Sequence, residues 1–397
     1  MPNVFFLRHY SKLITRKTLY SRHNFSLDQM HYTTYSDDNI LIKTGKWSSI
    51  DGEGLSESFS VLTLKNKLMP FECQLDIILD NIGKVAADCG VPTFIRFFLS
   101  DPVNQVPMVR KKIDLGCAVS IVGQEPLNGT KISAMVWCKK DARLRRVGDH
   151  VCEVWSGNVN EIWYTGGVSV EHPDSFGQTV SVMEELASKY EKLGLVFSIN
   201  CTRTWLYVQN IDENYKGMVD GRNTVFDHHG LKGDHPYIAS TGIEGRTDNP
   251  AEKVMLDAVA YSGPGISSKH LMGGSHLNRT SEYGVRFERG TLVGFGDRNY
   301  VFISGTASID NKGNILYECD IVRQTERMIE NVEVLLKEAG CGFDQVGSMI
   351  VYLRDPADYA VVKQILDARF PKCPCVMVRG SVCRPGWLVE MECIAIY

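Results

Sequence analysis

Glu390 and Glu392 stand two residues apart in the run Val389-Glu390-Met391-Glu392-Cys393-Ile394-Ala395. If that run is a strand, both carboxylates point to one face. Val389, Met391 and Leu388 give Glu390 an apolar setting, and a neighbouring carboxylate disfavours a second charge; both effects raise a carboxyl pKa. A carboxylic acid that keeps its proton near neutral pH can act as a general acid. Cys383, seven residues earlier, is a second reactive type, but no His lies nearby in sequence to activate it as a nucleophile.

Taken alone, Glu390 would read as an exposed strand carboxylate. An internal repeat changes that reading. Gly166, Gln178-Thr179, Gly194, Tyr207, Tyr215 and Phe226 recur as Gly305, Gln324-Thr325, Gly340, Tyr352, Tyr359 and Phe370. From Gln to Gly is sixteen residues in both copies, and from the second Tyr to Phe is eleven in both. Continuing the alignment lays Val254–Ala260 over 389–395, so Glu390 falls on Met255 and Glu392 on Asp257. One copy has kept an acid that the other lacks, which points to a site at Glu390. The acid at Glu392 persists in both copies and reads as structural.

The elements that must carry these residues follow from periodicity. Residues 40–168 show short apolar runs broken by Gly, Asn, Asp and Pro, a strand pattern; Thr93–Leu99 and Ala134–Cys138 are the clearest. Helices are expected at Phe71–Cys89, Val180–Leu193, Ile321–Ala339 and Asp358–Phe370, each with an apolar stripe or a closing Gly. The last hundred residues alternate in the order ββαβαββ, with strands at Thr291–Val293, Tyr300–Ile303, Ser348–Leu353, Cys375–Arg379 and Trp387–Ile396. That order packs two helices on one face of a mixed sheet, an α+β layout whose open face needs covering by neighbouring copies. Gly263, Pro264, Gly265, Gly273 and Gly274 mark 263–282 as a linker. It separates an N-terminal unit, 31–262, from a C-terminal unit, 283–397.

Hydrophobic residues at 44% and charged residues at 23% are ordinary for a globular chain of 397 residues. A net charge of −4 argues against a nucleic-acid footprint. No apolar run approaches the roughly 18 residues that a membrane-spanning helix needs. The twelve cysteines lack metal spacing, and Cys373-Pro374-Cys375 has no second pair to complete four ligands. Scattered cysteines of this kind read as small buried hydrophobes in a reducing compartment. His228-His229 and His235 are close, but no carboxylate spacing makes them a metal site. Residues 1–30 carry Arg8, Lys12, Arg16, Lys17 and Arg22 with no acid before Asp28. This is the composition of a segment addressing the chain to a mitochondrion or other organelle; read instead as a disordered tail, it leaves the chain cytoplasmic.

Residues 300–397 resemble the YjgF/RidA family. The resemblance rests on Val301-Phe302-Ile303-Ser304-Gly305, Gln324-Thr325, Asn331-Val332, Ala339-Gly340, Val351-Tyr352-Leu353-Arg354-Asp355 and Val389-Glu390-Met391-Glu392. It implies an α+β fold of two tandem YjgF/RidA-like (chorismate-mutase-like) modules, each a mixed sheet with helices on one face. Small members of that family place a substrate-carboxylate Arg in the strand after the second helix. Here that strand reads Cys375-Val376-Met377-Val378, a departure that counts against imine deamination.

A wider stretch, about 150–397, is similar to the chorismatase family. The matching residues are Thr202-Arg203-Thr204-Trp205, Tyr215 with Arg222, Ala239-Ser240-Thr241-Gly242-Ile243, Phe287-Glu288-Arg289-Gly290, Ser304-Gly305-Thr306-Ala307-Ser308 and Cys383-Arg384-Pro385 leading to Glu390. The resemblance implies cleavage of the enolpyruvyl ether of chorismate to pyruvate and a ring product. Glu390 would protonate the methylene carbon, and water or an internal hydroxyl would add at the ether carbon. Cys383 would line the pocket and set the product, with 3-hydroxybenzoate favoured over a dihydroxycyclohexadiene carboxylate or 4-hydroxybenzoate. The substrate's two carboxylates call for cationic donors, for which Arg203 and Arg222 are the best candidates. Tyr215, Thr241, Gly242, Ser304, Gly305, Thr306 and Arg384 complete the expected substrate contacts. No cofactor or metal is expected, and neither a Rossmann glycine fingerprint nor a phosphate loop is present. A deaminase of enamines or imines and a non-catalytic small-molecule binder are the other readings. The assembly is expected to be a monomer or a homotrimer.

Overall fold

A computed structural model of the chain describes residues 30–49, 54–233 and 235–397. The targeting reading of 1–30 lies outside the described residues except for Met30. The two α+β modules anticipated from the repeat are present, and a third of the same design precedes them. In the first module the order is β1 (His31–Ser36), β2 (Ile40–Ser48), β3 (Ser56–Leu64), α1 (Phe71–Cys89), β4 (Val91–Leu99), α2 (Pro102–Lys112), β5 (Ala118–Val122) and β6 (Ile132–Lys139). The second runs β7 (Arg143–Val147), β8 (Val151–Ser156), β9 (Val159–Val168), α3 (Ser175–Lys192), α4 (Phe197–Asn200), β10 (Cys201–Val208), α5 (Ile211–His228), β11 (Ala239–Glu244) and β12 (Val254–Ser262). The third runs β13 (Ser267–Leu271), β14 (Gly290–Gly294), β15 (Asn299–Ala307), α6 (Ile321–Glu338), β16 (Val346–Leu353), α7 (Tyr359–Arg369), β17 (Cys375–Arg379) and β18 (Val389–Ile396).

Strand order is identical in the three sheets: β1-β2-β3-β6-β4-β5, β7-β8-β9-β12-β10-β11 and β13-β14-β15-β18-β16-β17. Only β4–β5, β10–β11 and β16–β17 are parallel pairs. The segment 31–262, expected as one N-terminal unit, therefore contains two complete sheets. The segment 263–282, expected as a linker, carries β13, which pairs antiparallel with β14 and so belongs to the third sheet. Helix α2 lies in a stretch expected as strands. Its Pro107 lies inside the helix, where proline ordinarily breaks helical pairing. Helix α3 starts five residues before its apolar stripe because Asp174 caps it, accepting from Gly177 N at 2.8 Å.

One glutamine explains much of the repeat. Gln178 Nε2 donates to Ala251 O at 2.9 Å and its Oε1 accepts from Lys253 N at 2.6 Å, tying α3 to the chain as it enters β12. Gln324 makes the same two bonds in the third module, to Gly386 O and from Leu388 N, at 2.8 and 2.9 Å. In the first, Gln74 Oε1 accepts from Lys131 N at 2.8 Å, one residue before β6. Each is buried, so the amide satisfies backbone groups that would otherwise be unpaired inside the protein.

Helices cover one face of each sheet, and the three open faces pack on one another. Phe94 of β4 stacks on Trp163 of β9 with ring centroids 4.1 Å apart, and Trp163 lies 5.2 Å from Trp137 and 6.0 Å from Trp205. A buried charged node also joins all three modules. Lys139 Nζ lies 2.8 Å from Glu161 Oε2 and 3.2 Å from Glu57 Oε2, and it donates to Tyr300 OH at 2.8 Å. Arg298 Nε lies 2.6 Å from Glu57 Oε1. Two cations thus meet two carboxylates drawn from β3, β6, β9 and the β14–β15 turn. No helix among the described residues is long and apolar enough to cross a membrane.

Candidate active site

Three equivalent strand pairs fix where the chemistry sits. Glu390 pairs in register with Tyr352, Met255 with Tyr207 and Ser133 with Phe98. These three residues occupy one position in three modules, and each lines a cleft between its own module and a neighbour. The cleft with Glu390, between the second and third modules, encloses about 320 Å³. The one with Met255, between the first and second, encloses about 250 Å³. The one with Ser133, between the first and third, encloses about 90 Å³. Only the largest contains an acid at this position.

The second module contributes Tyr215 and Arg222 from α5 and Ser240 and Gly242 from β11 to the Glu390 cavity. The third contributes Gly305, Cys383, Arg384, Trp387 and Glu390, with Phe287 and Arg289 leading into β14. Of the residues expected here, Glu390, Cys383, Tyr215, Arg222, Gly242, Gly305 and Arg384 are brought together on one cavity. Phe287 lies near two cations, with the guanidinium carbons of Arg222 and Arg289 each 5.8 Å from its ring centroid. Arg384 lies over Trp387 at 4.8 Å and donates to Gly313 O at 3.0 Å.

Glu390 is 5% exposed. Burial, and then the charge of Glu392, push its carboxyl up to about 8, against the pull of Arg203 and Arg289. Cys383 is pushed up to about 12, chiefly by burial and next by Glu390. It is a neutral thiol beside Tyr215, not a thiolate nucleophile.

Four expected contacts lie elsewhere. Arg203 is buried behind the cavity, its Nη2 2.6 Å from Glu392 Oε2 and bonded to Thr241 Oγ1. Thr241 donates to Glu392 Oε2 and accepts from Gly305 N at 2.8 Å. Ser304 accepts from Ser240 N at 3.0 Å and donates to Glu288 O at 2.6 Å, while Thr306 donates to Ser304 O at 2.9 Å. Strand alternation is the reason: if Ser240, Gly242 and Gly305 face the cavity, then Thr241, Ser304 and Thr306 face away. The sequence reading missed Ser240, Phe287, Arg289 and Trp387 as lining residues. Phe287 and Arg289 share a face by the same alternation, and that was the available signal.

The strand facing Glu390 is β11, not β17, and it carries no arginine either; β17 faces the 90 Å³ cleft through Cys375, Val376 and Met377. All twelve cysteines are free. His228 and His229 both bond Glu184, at 3.0 and 2.9 Å, and no cluster that could hold a metal ion occurs among the described residues.

Residues 293–397 match the Endoribonuclease L-PSP family. A RutC family protein of Pyrococcus abyssi is 34% identical over 99 residues, covering 24% of this chain and 78% of its own. The 3-aminoacrylate deaminase RutC of Acinetobacter baylyi is 29% identical over 101 residues, 24% of this chain and 79% of its own. A chorismatase crystal structure superposes with a TM-score of 0.60 at 18% identity, covering 77% of this chain and 93% of that one. That likeness is one of fold and extends well beyond the third module. By its third module the chain belongs to the RutC family, set at the end of a chorismatase-like fold.

Proposed function

We propose that the 320 Å³ cavity binds chorismate and cleaves its enolpyruvyl ether, with Glu390 as general acid. The observation that carries this reading is a buried carboxyl, pushed up to about 8, facing a cavity lined by Arg222, Arg289 and Arg384. Arginines pair well with a dianionic substrate. Tyr215, Gly242 and Gly305 shape the space beside it, and the chorismatase-like fold supports the substrate assignment.

Glu390 donates its proton to the terminal methylene carbon, and positive charge develops at the ether carbon. Addition of water there gives a hemiketal that collapses to pyruvate and a ring diol, consuming one water. Alternatively the neighbouring ring hydroxyl adds at the ether carbon; its bond to the ring then breaks, so that oxygen leaves as the carbonyl of pyruvate. Loss of a ring proton aromatises the ring to 3-hydroxybenzoate with no net water. Cys383 lies close enough to Glu390 for the carboxyl to push its thiol up, and a thiol there favours the 3-hydroxybenzoate outcome over hydrolysis. The test is to incubate the protein with chorismate and separate the products by chromatography. Pyruvate with 3-hydroxybenzoate is expected. Absence of pyruvate from folded protein would overturn the reading in favour of deamination or binding.

A further inference from the structure

Glu392 makes no contact with the cavity, yet both of its oxygens are fully engaged by the second module. Oε1 accepts from Trp205 Nε1 at 2.8 Å, and Oε2 accepts from Arg203 Nη2 at 2.6 Å and from Thr241 Oγ1. The direction of the Thr241 hydroxyl is forced. Its oxygen already accepts from Arg203 and from Gly305 N, so its one proton must go to Glu392. Gly305 in turn abuts Glu390, since a β-carbon there would stand 2.2 Å from Glu390 Oε1. A continuous chain of contacts therefore runs Arg203, Glu392, Thr241, Gly305, Glu390, crossing between modules three times.

We infer that Glu392 is a positioning residue for proton donation: clamped by Arg203, Trp205 and Thr241 of the preceding module, it fixes Gly305 and thereby the carboxyl of Glu390. This inference rests on the proposed role of Glu390. The charge of Glu392 has a second effect, since it is the largest influence after burial holding the proton on Glu390. The other groups around the pair are Arg203, Arg289, Cys383, Cys393, Arg96, Tyr207 and Tyr352. Arg222, Arg384 and Tyr215 share the cavity with Glu390.

The second module holds the natural control. Asp257 accepts from Arg96 at 3.0 Å, from Ser120 at 2.5 Å and from Gly166 N at 2.8 Å. Ser120 pairs with Arg96 as Thr241 pairs with Trp205, and Gly166 stands where Gly305 does. A buried acid held by an arginine and a hydroxyl of the preceding module is thus also built where Met255 stands in place of Glu390, although there the acid bonds the glycine N directly. A purely structural role for Glu392 predicts that Glu392→Gln and Asp257→Asn behave alike.

The test measures chorismate turnover against pH for the wild type, Glu392→Gln and Asp257→Asn. It also measures the infrared carboxyl band of Glu390 against pH, isolated by subtracting Glu390→Gln spectra. For Glu392→Gln the fall of kcat with rising pH, and the infrared midpoint, should both move down by about one pH unit or more. Asp257→Asn should leave both where they are in the wild type. If Glu392→Gln fails to fold, Thr241→Val breaks the link to Gly305 while keeping the ion pair. It should then lower kcat at least about tenfold with KM unchanged. An unmoved infrared midpoint in Glu392→Gln, or unchanged kcat in Thr241→Val, overturns the inference. Because the infrared readout needs no turnover, a wild type inert toward chorismate whose midpoint still moves in Glu392→Gln would sink the substrate reading and keep the inference.

Discussion

Gly305 and Glu390 are packed so tightly that the glycine is sterically required: an added β-carbon would lie 2.2 Å from Oε1 of the acid and 3.0 Å from Thr241 Cγ2. The acid is the movable partner. Gly305→Ala is therefore expected to swing Glu390 out of place, lowering kcat at least about a hundredfold, since small misplacements of a reacting group are costly. Circular dichroism should show an intact fold, separating this effect from unfolding.

Glu390→Gln removes the proton donor and should lower kcat by roughly 10²–10⁴, measured as pyruvate release. In the wild type the acid form is lost as pH rises through about 8, so kcat should fall on that side. Stability carries the same sign. A carboxyl raised from 4.5 to about 8 holds its proton more tightly in the folded state. Its contribution is full below 4.5 and is lost as pH rises through 8. The melting temperature of Glu390→Gln relative to wild type should thus rise between pH 5 and pH 8, a span worth on the order of a few kcal/mol.

Cys383→Ala enlarges the cavity beside Glu390 without removing a charge. The proportion of dihydroxycyclohexadiene carboxylate to 3-hydroxybenzoate is expected to rise as water gains room, read by chromatography of the ring products. Total pyruvate should fall by less than about tenfold, because the thiol is not a nucleophile.

Lys139→Met strips the cation that faces Glu57 and Glu161 in the three-module node, where Lys139 is 2% exposed. Leaving a buried carboxylate uncompensated typically destabilises by about 3–5 kcal/mol. Chemical denaturation should show that loss, while kcat measured below the melting point stays near wild type because the node does not line the Glu390 cavity.

The second and third modules were legible because their glutamine clamps and closing glycines survive as spaced letters, Gln178 to Gly194 and Gln324 to Gly340. The first module keeps the clamp at Gln74 and a closing Gly90 sixteen residues later. It lacks the Tyr landmarks, Phe98 standing where Tyr207 and Tyr352 do, so its kinship shows most clearly in strand order. Helix α2 was hidden by Pro107. At the site, the acid was legible from a position where one copy carries a carboxylate and the other Met255. Arg203 was misread because an arginine invites an anion, and the anion it meets is Glu392, remote in sequence and supplied by another module. Thr241, Ser304 and Thr306 were misread because the short motifs that carried them mix residues from both faces of a strand.

Three modules in one chain also change what inheritance can do with the fold. In a ring of identical subunits, any substitution is written into every interface at once, so an acid lost or gained is lost or gained three times. Here each interface is encoded separately. Met255 and Ser133 could replace the acid at two clefts while Glu390 kept it at the third, and the cavity around the survivor could take up Arg222, Phe287 and Trp387 without imposing them on its counterparts.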